Sequence, residues 1–145
     1  MWDNGAVTPE QITIVQTTVT SLSAESLDAL AGDFYARLFA ADPDVAALFT
    51  GDLTEQRHKF SESLVAIIGA IRRLDAFTTD GAALGRRHQA YGVRAAHYRL
   101  AGDALLDAVG ASLGSAWTPA VAEAWALAYH LTVTAMTTDS TAAEA

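Results

Sequence analysis

Cysteine is absent from all 145 residues, so disulfides, thiol nucleophiles, iron–sulfur clusters and thiolate-ligated metal centres are excluded together. Any metal must be held by histidine or oxygen ligands. Basic charge is also short: nine Lys and Arg against 17 Asp and Glu give a formal net charge of −8 and a pI near 4.7. A protein so acidic is repelled by nucleic acid and by anionic membranes, and neither is expected as a partner. No apolar run approaches the roughly 20 residues of a membrane span. The N-terminus shows no basic-then-apolar leader pattern, and a cytosolic protein is expected.

Proline is scarce too, with three residues, while hydrophobic residues make up 51% and alanine and leucine dominate. That balance favours an all-helical domain over a Val/Thr-rich sandwich. Strand-like alternation is short and local. A chain of this length buries about two thirds of its unfolded surface around one core, so residues 1–145 are expected to form a single domain.

Along the chain, residues 1–7 read as a loose lead. Thr8-Pro9-Glu10-Gln11 then has the form of a helix start, with Thr8 as cap, Pro9 first inside and Gln11 closing a capping box. Ser23 caps a second helix carrying Leu27, Leu30, Phe34, Tyr35 and Leu38 at three- and four-residue spacings. Asp42-Pro43 breaks it and leaves room for one short turn before a corner at Thr50-Gly51-Asp52. From Leu53 to Arg73 one face gathers Gln56, Phe60, Leu64, Ile67, Ile68 and Ile71, with Arg72-Arg73 suited to the helix's negative end. Thr79-Asp80-Gly81 reads as an irregular approach to the next helix. Two more helices follow, one from His97-Tyr98 to Gly114 and one opened by Thr118-Pro119. The Thr/Ser/Ala/Glu tail from about Thr137 has little to bury and is expected to be loose. The count is six sizeable helices and one short one.

The stretch that organises the chemistry is Leu84-Gly85-Arg86-Arg87-His88-Gln89-Ala90-Tyr91-Gly92-Val93, followed by His97-Tyr98. Leu84 and His88, four residues apart, share one helix face, and Gly92 is a left-handed stop. A lone histidine on an apolar face is ordinarily a packed residue. This one sits in a pattern that resembles the segment bearing the haem-binding histidine of globins, above all bacterial single-domain globins, neuroglobin and the globin domains of flavohaemoglobins. Four further stretches carry the same resemblance in the same order. Phe34-Tyr35-Ala36-Arg37-Leu38-Phe39 is similar to the second-helix motif of bacterial globins, and Asp42-Pro43 with Phe49 to the short helix and the phenylalanine against the haem. Thr54-Glu55-Gln56-Arg57-His58-Lys59-Phe60 resembles the distal segment, with Gln56 in the usual histidine's place. Trp117-Thr118-Pro119 and Ala124-Trp125 match the opening of the last helix.

The resemblance implies a globin fold holding one b-type haem, with His88 as the iron ligand and Tyr35 and Gln56 facing the bound gas. Phe49 and Phe60 would wall the pocket, Leu84 would pack beneath the ring, and Val93 and Tyr98 would lie beside the cofactor. Lys59 would serve a haem propionate, a role also open to Arg86 and Arg87; iron ligation by Lys59 or Tyr35 in the resting state is an alternative. His58 lies about 200° around the helix from Gln56 and should face solvent; His97 and His130 are read as surface or packing residues. Tyr98 fits a tyrosine that in flavohaemoglobin-type domains ties the ligating histidine to a glutamate. Counting from Trp125 puts that glutamate's place at Ser140, beside Asp139. The expected function is binding of O2, NO and CO by a monomer or homodimer, extending to nitric oxide dioxygenation by Tyr35 and Gln56 given a separate reductase. A gas or redox sensor acting through a partner, and a helical interaction module without haem, are the rival readings.

Overall fold

Small polar residues one position ahead of the first helical residue start the first four helices. Thr8 Oγ1 accepts the Gln11 N–H at 3.1 Å while Gln11 Oε1 accepts the Thr8 N–H at 3.0 Å. This reciprocal cap opens α1 (Pro9–Ser21) and satisfies two donors that a helix start otherwise leaves orphaned. Ser23 Oγ takes the Ser26 N–H at the head of α2 (Ala24–Ala41), and Asp42 takes the Asp44 N–H to open the single turn α3 (Pro43–Ala46). Asp52 accepts from Thr54 at 2.8 Å to begin α4 (Leu53–Ala70). Three long helices complete the chain: α5 (Leu74–Ala90), α6 (Ala95–Leu113) and, after a 3-10 turn at Gly114–Ala116, α7 (Pro119–Glu144). This computed structural model describes residues 7–49 and 51–144, and no strand occurs among them.

The helices pack chiefly as α5 on α7, α2 on α6, α1 on α7 and α2 on α4. Trp125, Phe77, Val15 and Val109 are the most deeply enclosed large side chains. Among the described residues the fold is all-α, with six sizeable helices, a short one and a single 3-10 turn, as the resemblance implies. None of the described helices is long and apolar enough to cross a membrane.

The α5–α7 contact explains where the sequence reading departs from the structure. Thr79-Asp80-Gly81 is regular helix inside α5, not an irregular approach. Gly81 acts there as a packing residue: a Cβ at Gly81 would stand 2.6 Å from the Ala135 Cβ, and one at Gly85, a turn later, would run into the Met136 carbonyl. Two side chains of zero volume let α5 approach α7 backbone to side. The same shift makes Phe77, 1% exposed, a core residue that an irregular segment would have left out. Helix α4 stops at Ala70, three residues short of expectation. Arg72 then reaches α1 rather than the α4 terminus, with Nε on Gln16 Oε1 at 3.1 Å and a second bond to Thr13 Oγ1. The backbone of α7 stays helical to Glu144, past the point where a loose tail was expected. Of the expected loose lead only Val7 is among the described residues, and it is half-buried.

The close approach makes a testable contrast. Gly85→Ala should destabilise the protein by about 2–3 kcal/mol, because the added methyl meets backbone that cannot step aside. Gly69→Ala, exposed on α4 with nothing within 4 Å of the new methyl, should instead gain about 0.5–1 kcal/mol from helix propensity. Urea denaturation of the two variants beside the parent reads both signs.

Candidate functional site

Two helices meet at the distal residues. Tyr35 lies on the inner face of α2, 6% exposed, and Gln56 enters from the first turn of α4. Gln56 Nε2 donates to the Tyr35 hydroxyl at 3.1 Å. Because the phenol oxygen accepts this bond, its own hydrogen is kept for another acceptor. Burial pushes the Tyr35 hydroxyl above the ordinary phenol range, against the smaller opposing effect of the Gln56 amide. The group is therefore a neutral donor at physiological pH.

Aromatic rings enclose this pair. Phe34, Phe49 and Phe60 meet the Tyr35 ring edge-on at centroid distances of 5.0, 5.3 and 5.7 Å. Phe60 also stacks on Phe34 at 4.5 Å, and Phe39 bridges Tyr35 and Phe49. Each such pair contributes about 0.5–1.5 kcal/mol beyond area burial and together they fix the phenol's rotamer. Phe49 and Phe60 were expected here. Phe34 was read as core and Phe39 only as part of the second-helix motif; Phe39, four residues after Tyr35, shares its helix face, and that spacing was the available signal.

His88 sits in the last turn of α5, half-buried. Its Nδ1 lies 2.8 Å from the Leu84 carbonyl oxygen. A carbonyl can only accept, so Nδ1 carries the proton and Nε2 is left with a free lone pair. Burial holds the imidazole below its ordinary value, the Leu84 carbonyl opposes that, and the Arg87 charge lowers it further. The ring is thus neutral at pH 7, the form a metal requires. Helix α5 closes just beyond it. Gly92, at φ +92°, donates to Gln89 O at 3.0 Å and Val93 donates to His88 O at 3.0 Å, a paired glycine stop. Val93 thus has a demonstrable place as the residue that locks the end of the His88 helix.

A cleft of about 270 Å³ runs between α4 and α5, lined by Ile67, Ala66, Ala83 and Leu84 with Asp80 and Arg87 among its polar residues. Leu84 is therefore both the acceptor that orients His88 and an apolar wall. Tyr98 lies with its ring 6.3 Å from that of His88, half-buried on α6, and burial raises its hydroxyl. Its backbone carbonyl accepts from the Tyr129 hydroxyl of α7. Asp139 and Ser140 fall on the last turns of α7, and their side chains lie outside the described residues.

The remaining polar candidates sit outside this group. Lys59 is exposed and pairs with Glu55 at 3.6 Å along α4. His58 and His130 are exposed, while His97 Nδ1 accepts the Arg94 N–H at 2.9 Å and so caps α6. Sequence reasoning missed the Arg57–Asp28 ion pair, 3.3 Å between α4 and α2, which ties the two distal helices together at the surface.

The described residues thus bring together an all-helical domain, a neutral imidazole on α5, a cleft between α4 and α5, and a hydrogen-bonded Tyr35–Gln56 pair ringed by phenylalanines. Residues 32–136 match the Globin family. The chain is 34% identical over 117 residues to neuroglobin from Danio rerio, covering 71% of this chain and 74% of that one. It is 35% identical over 127 residues to a flavohemoprotein from Deinococcus radiodurans, covering 85% of this chain but 31% of the other. The chain therefore spans about a third of the length of such flavohemoproteins. Among solved structures, an engineered carbene transferase made from a Rhodothermus marinus protein designated a nitric oxide dioxygenase superposes with a TM-score of 0.82 at 26% identity, covering 96% of both chains. This chain belongs to the globin family. Globins are haem proteins, and the donor chemistry present fits that group: a neutral histidine whose Nε2 lone pair is free to ligate, and a buried phenol with a hydrogen to donate.

Burial of His88 makes a pH prediction with a definite sign. Its folded value lies below the ordinary 6.5, so the unfolded chain takes up the proton first as pH falls. His88 should therefore lower stability of the haem-free protein as pH drops through 6.5, levelling off below the folded value. Urea midpoints measured across this window should fall more steeply for the parent than for His88→Gln.

Proposed function

We propose that this globin binds one b-type haem through His88 Nε2 and reversibly takes up dioxygen, nitric oxide or carbon monoxide beside Tyr35 and Gln56. The observation that carries the reading is the 3.1 Å bond from Gln56 to Tyr35 within the aromatic cluster. It leaves a buried phenol with a spare hydrogen and a neutral imidazole on a separate helix. When bound, the haem supplies an iron that keeps one position open to a diatomic gas.

The chain's own residues do the rest. The Tyr35 hydroxyl donates to a ligand atom that carries partial negative charge, and Gln56 orients the phenol by donating to its oxygen. Phe34, Phe49 and Phe60 keep water from competing for that hydrogen. Leu84 fixes the His88 tautomer through its carbonyl, and its side chain would pack against the haem. Lys59, Arg86 or Arg87 would meet the haem propionates. Such a pocket suits tight retention and slow release of dioxygen better than easy delivery. The same donors suit dioxygenation of nitric oxide to nitrate in the cytosol when a separate reductase supplies electrons; the flavohemoproteins and the Rhodothermus protein among its relatives support that extension.

Haem titration tests the core of the proposal. The parent should take up one equivalent with a Soret band that shifts on reduction and again under carbon monoxide, and His88→Ala should lose stoichiometric retention. Unchanged uptake and spectra in that variant would refute it. In Tyr35→Phe, dioxygen release measured by stopped flow should accelerate about 10- to 100-fold, the loss of one hydrogen bond to a charged acceptor.

A further inference from the structure

The charge of this chain is unevenly spread. Between Gly81 and Gly102 there are four arginines and no acidic residue, a local charge of +4 with histidines neutral. The remaining sequence holds five basic and 17 acidic groups, which is −12. Asp80 and Asp103 mark the two ends of the basic segment. The fold gathers the segment at one corner, where the end of α5 turns into α6. Arg86 and Arg87 stand on the last turns of α5, Arg94 caps α6 and Arg99 follows on its second turn, and all four are exposed. Tyr91, in the turn between the helices, is 66% exposed, the largest exposure among the big hydrophobic side chains of the described residues.

We propose that Arg86, Arg87, Arg94 and Arg99, with Tyr91 among them, form the docking surface for an acidic electron-donor protein. The inference rests on the haem reading above and adds the partner that reading leaves open. Arginines on a contact patch beside an exposed tyrosine have the composition of an interface centre, with a guanidinium for each carboxylate and an aromatic anchor. The choice of a protein over a lipid surface or nucleic acid follows from size. An extended polyanion meets the whole field of a molecule at −8, whereas a compact acidic patch that docks at this corner lies within a Debye length, about 10 Å, of the four arginines, with Asp80 and Asp103 at the margin. The corner also contains the residue that matters for electron delivery. Arg87 adjoins His88 in the chain, on the last turn of α5. A donor seated here delivers its electron to the helix that holds the iron. In the step itself the donor's reduced flavin loses one electron, ferric iron becomes ferrous, and no bond forms or breaks.

The test uses the haem-loaded protein, a strongly acidic bacterial flavodoxin as donor, and the double variant Arg94→Glu/Arg99→Glu, which leaves the residues assigned to the cofactor untouched. Stopped-flow reduction by flavodoxin, and fluorescence anisotropy of labelled oxidised flavodoxin, are measured at low and at high salt. At low salt the variant should lose about tenfold or more in both reduction rate constant and affinity, and the difference should vanish when salt screens the charges. Its Soret intensity, and its reduction by lumiflavin as a small donor with no docking surface, should match the parent. Equal rates and affinities in parent and variant overturn the proposal. So does an equal loss with lumiflavin, which would place the effect at the cofactor. Binding to phosphatidylserine vesicles with none to flavodoxin overturns it in favour of a lipid surface. If the chain takes up no haem, the haem reading fails on its own, and the anisotropy titration still decides the docking surface.

Discussion

The contact between Gly81 and Gly85 of α5 and the Ala135–Met136 stretch of α7 is the constraint on which the site depends. It sets how deep α5 lies, and α5 carries Leu84 and His88. Any residue larger than glycine at position 85 pushes the helix outward and with it the imidazole and the wall of the cleft. The Tyr35 side is set by α2 packed on α6 and held to α4 through Asp28 and Arg57, and α4 in turn packs on α5. The two sets of residues are thus placed chiefly by different helix pairs that meet where α4 lies on α5.

Across those two sets the chemistry is divided by protonation. Burial pushes the Tyr35 hydroxyl up and the His88 imidazole down, and both shifts favour the uncharged form. One group keeps its proton and can donate; the other surrenders its lone pair and can ligate. Desolvation by the same apolar core therefore prepares a donor and a base together, with no ion pair needed inside.

Much of this was legible in the residues. Caps at Thr8, Ser23 and Thr118, the break at Asp42-Pro43 and the stop at Gly92 follow local rules, and the helices start and end close to where those rules put them. Tyr35 and Gln56 could be paired from their order within a resemblance, since no spacing rule links residues 21 apart. What escaped was tertiary. Glycine at 81 signals a break when read along the chain and a close crossing when read across it, and only the partner helix distinguishes the two. Arg72 was assigned to its own helix end because the acceptors on α1 that win it, Gln16 and Thr13, are more than 50 residues away. Phe34, read as core, and Phe39, read only within the second-helix motif, join the cluster through Phe60 and Phe49 from other segments.

The Leu84 carbonyl is the natural acceptor for the His88 backbone N–H one turn on, and it also receives His88 Nδ1. The imidazole is consequently wired into the helix's own ladder and needs no dedicated orienting side chain. Its tautomer is a property of one turn of backbone, so unwinding that turn would randomise ring orientation and proton position in the same event. Ligation competence and local helix order then rise and fall as a single cooperative unit, and the glycine lock at Gly92 and Val93 guards both.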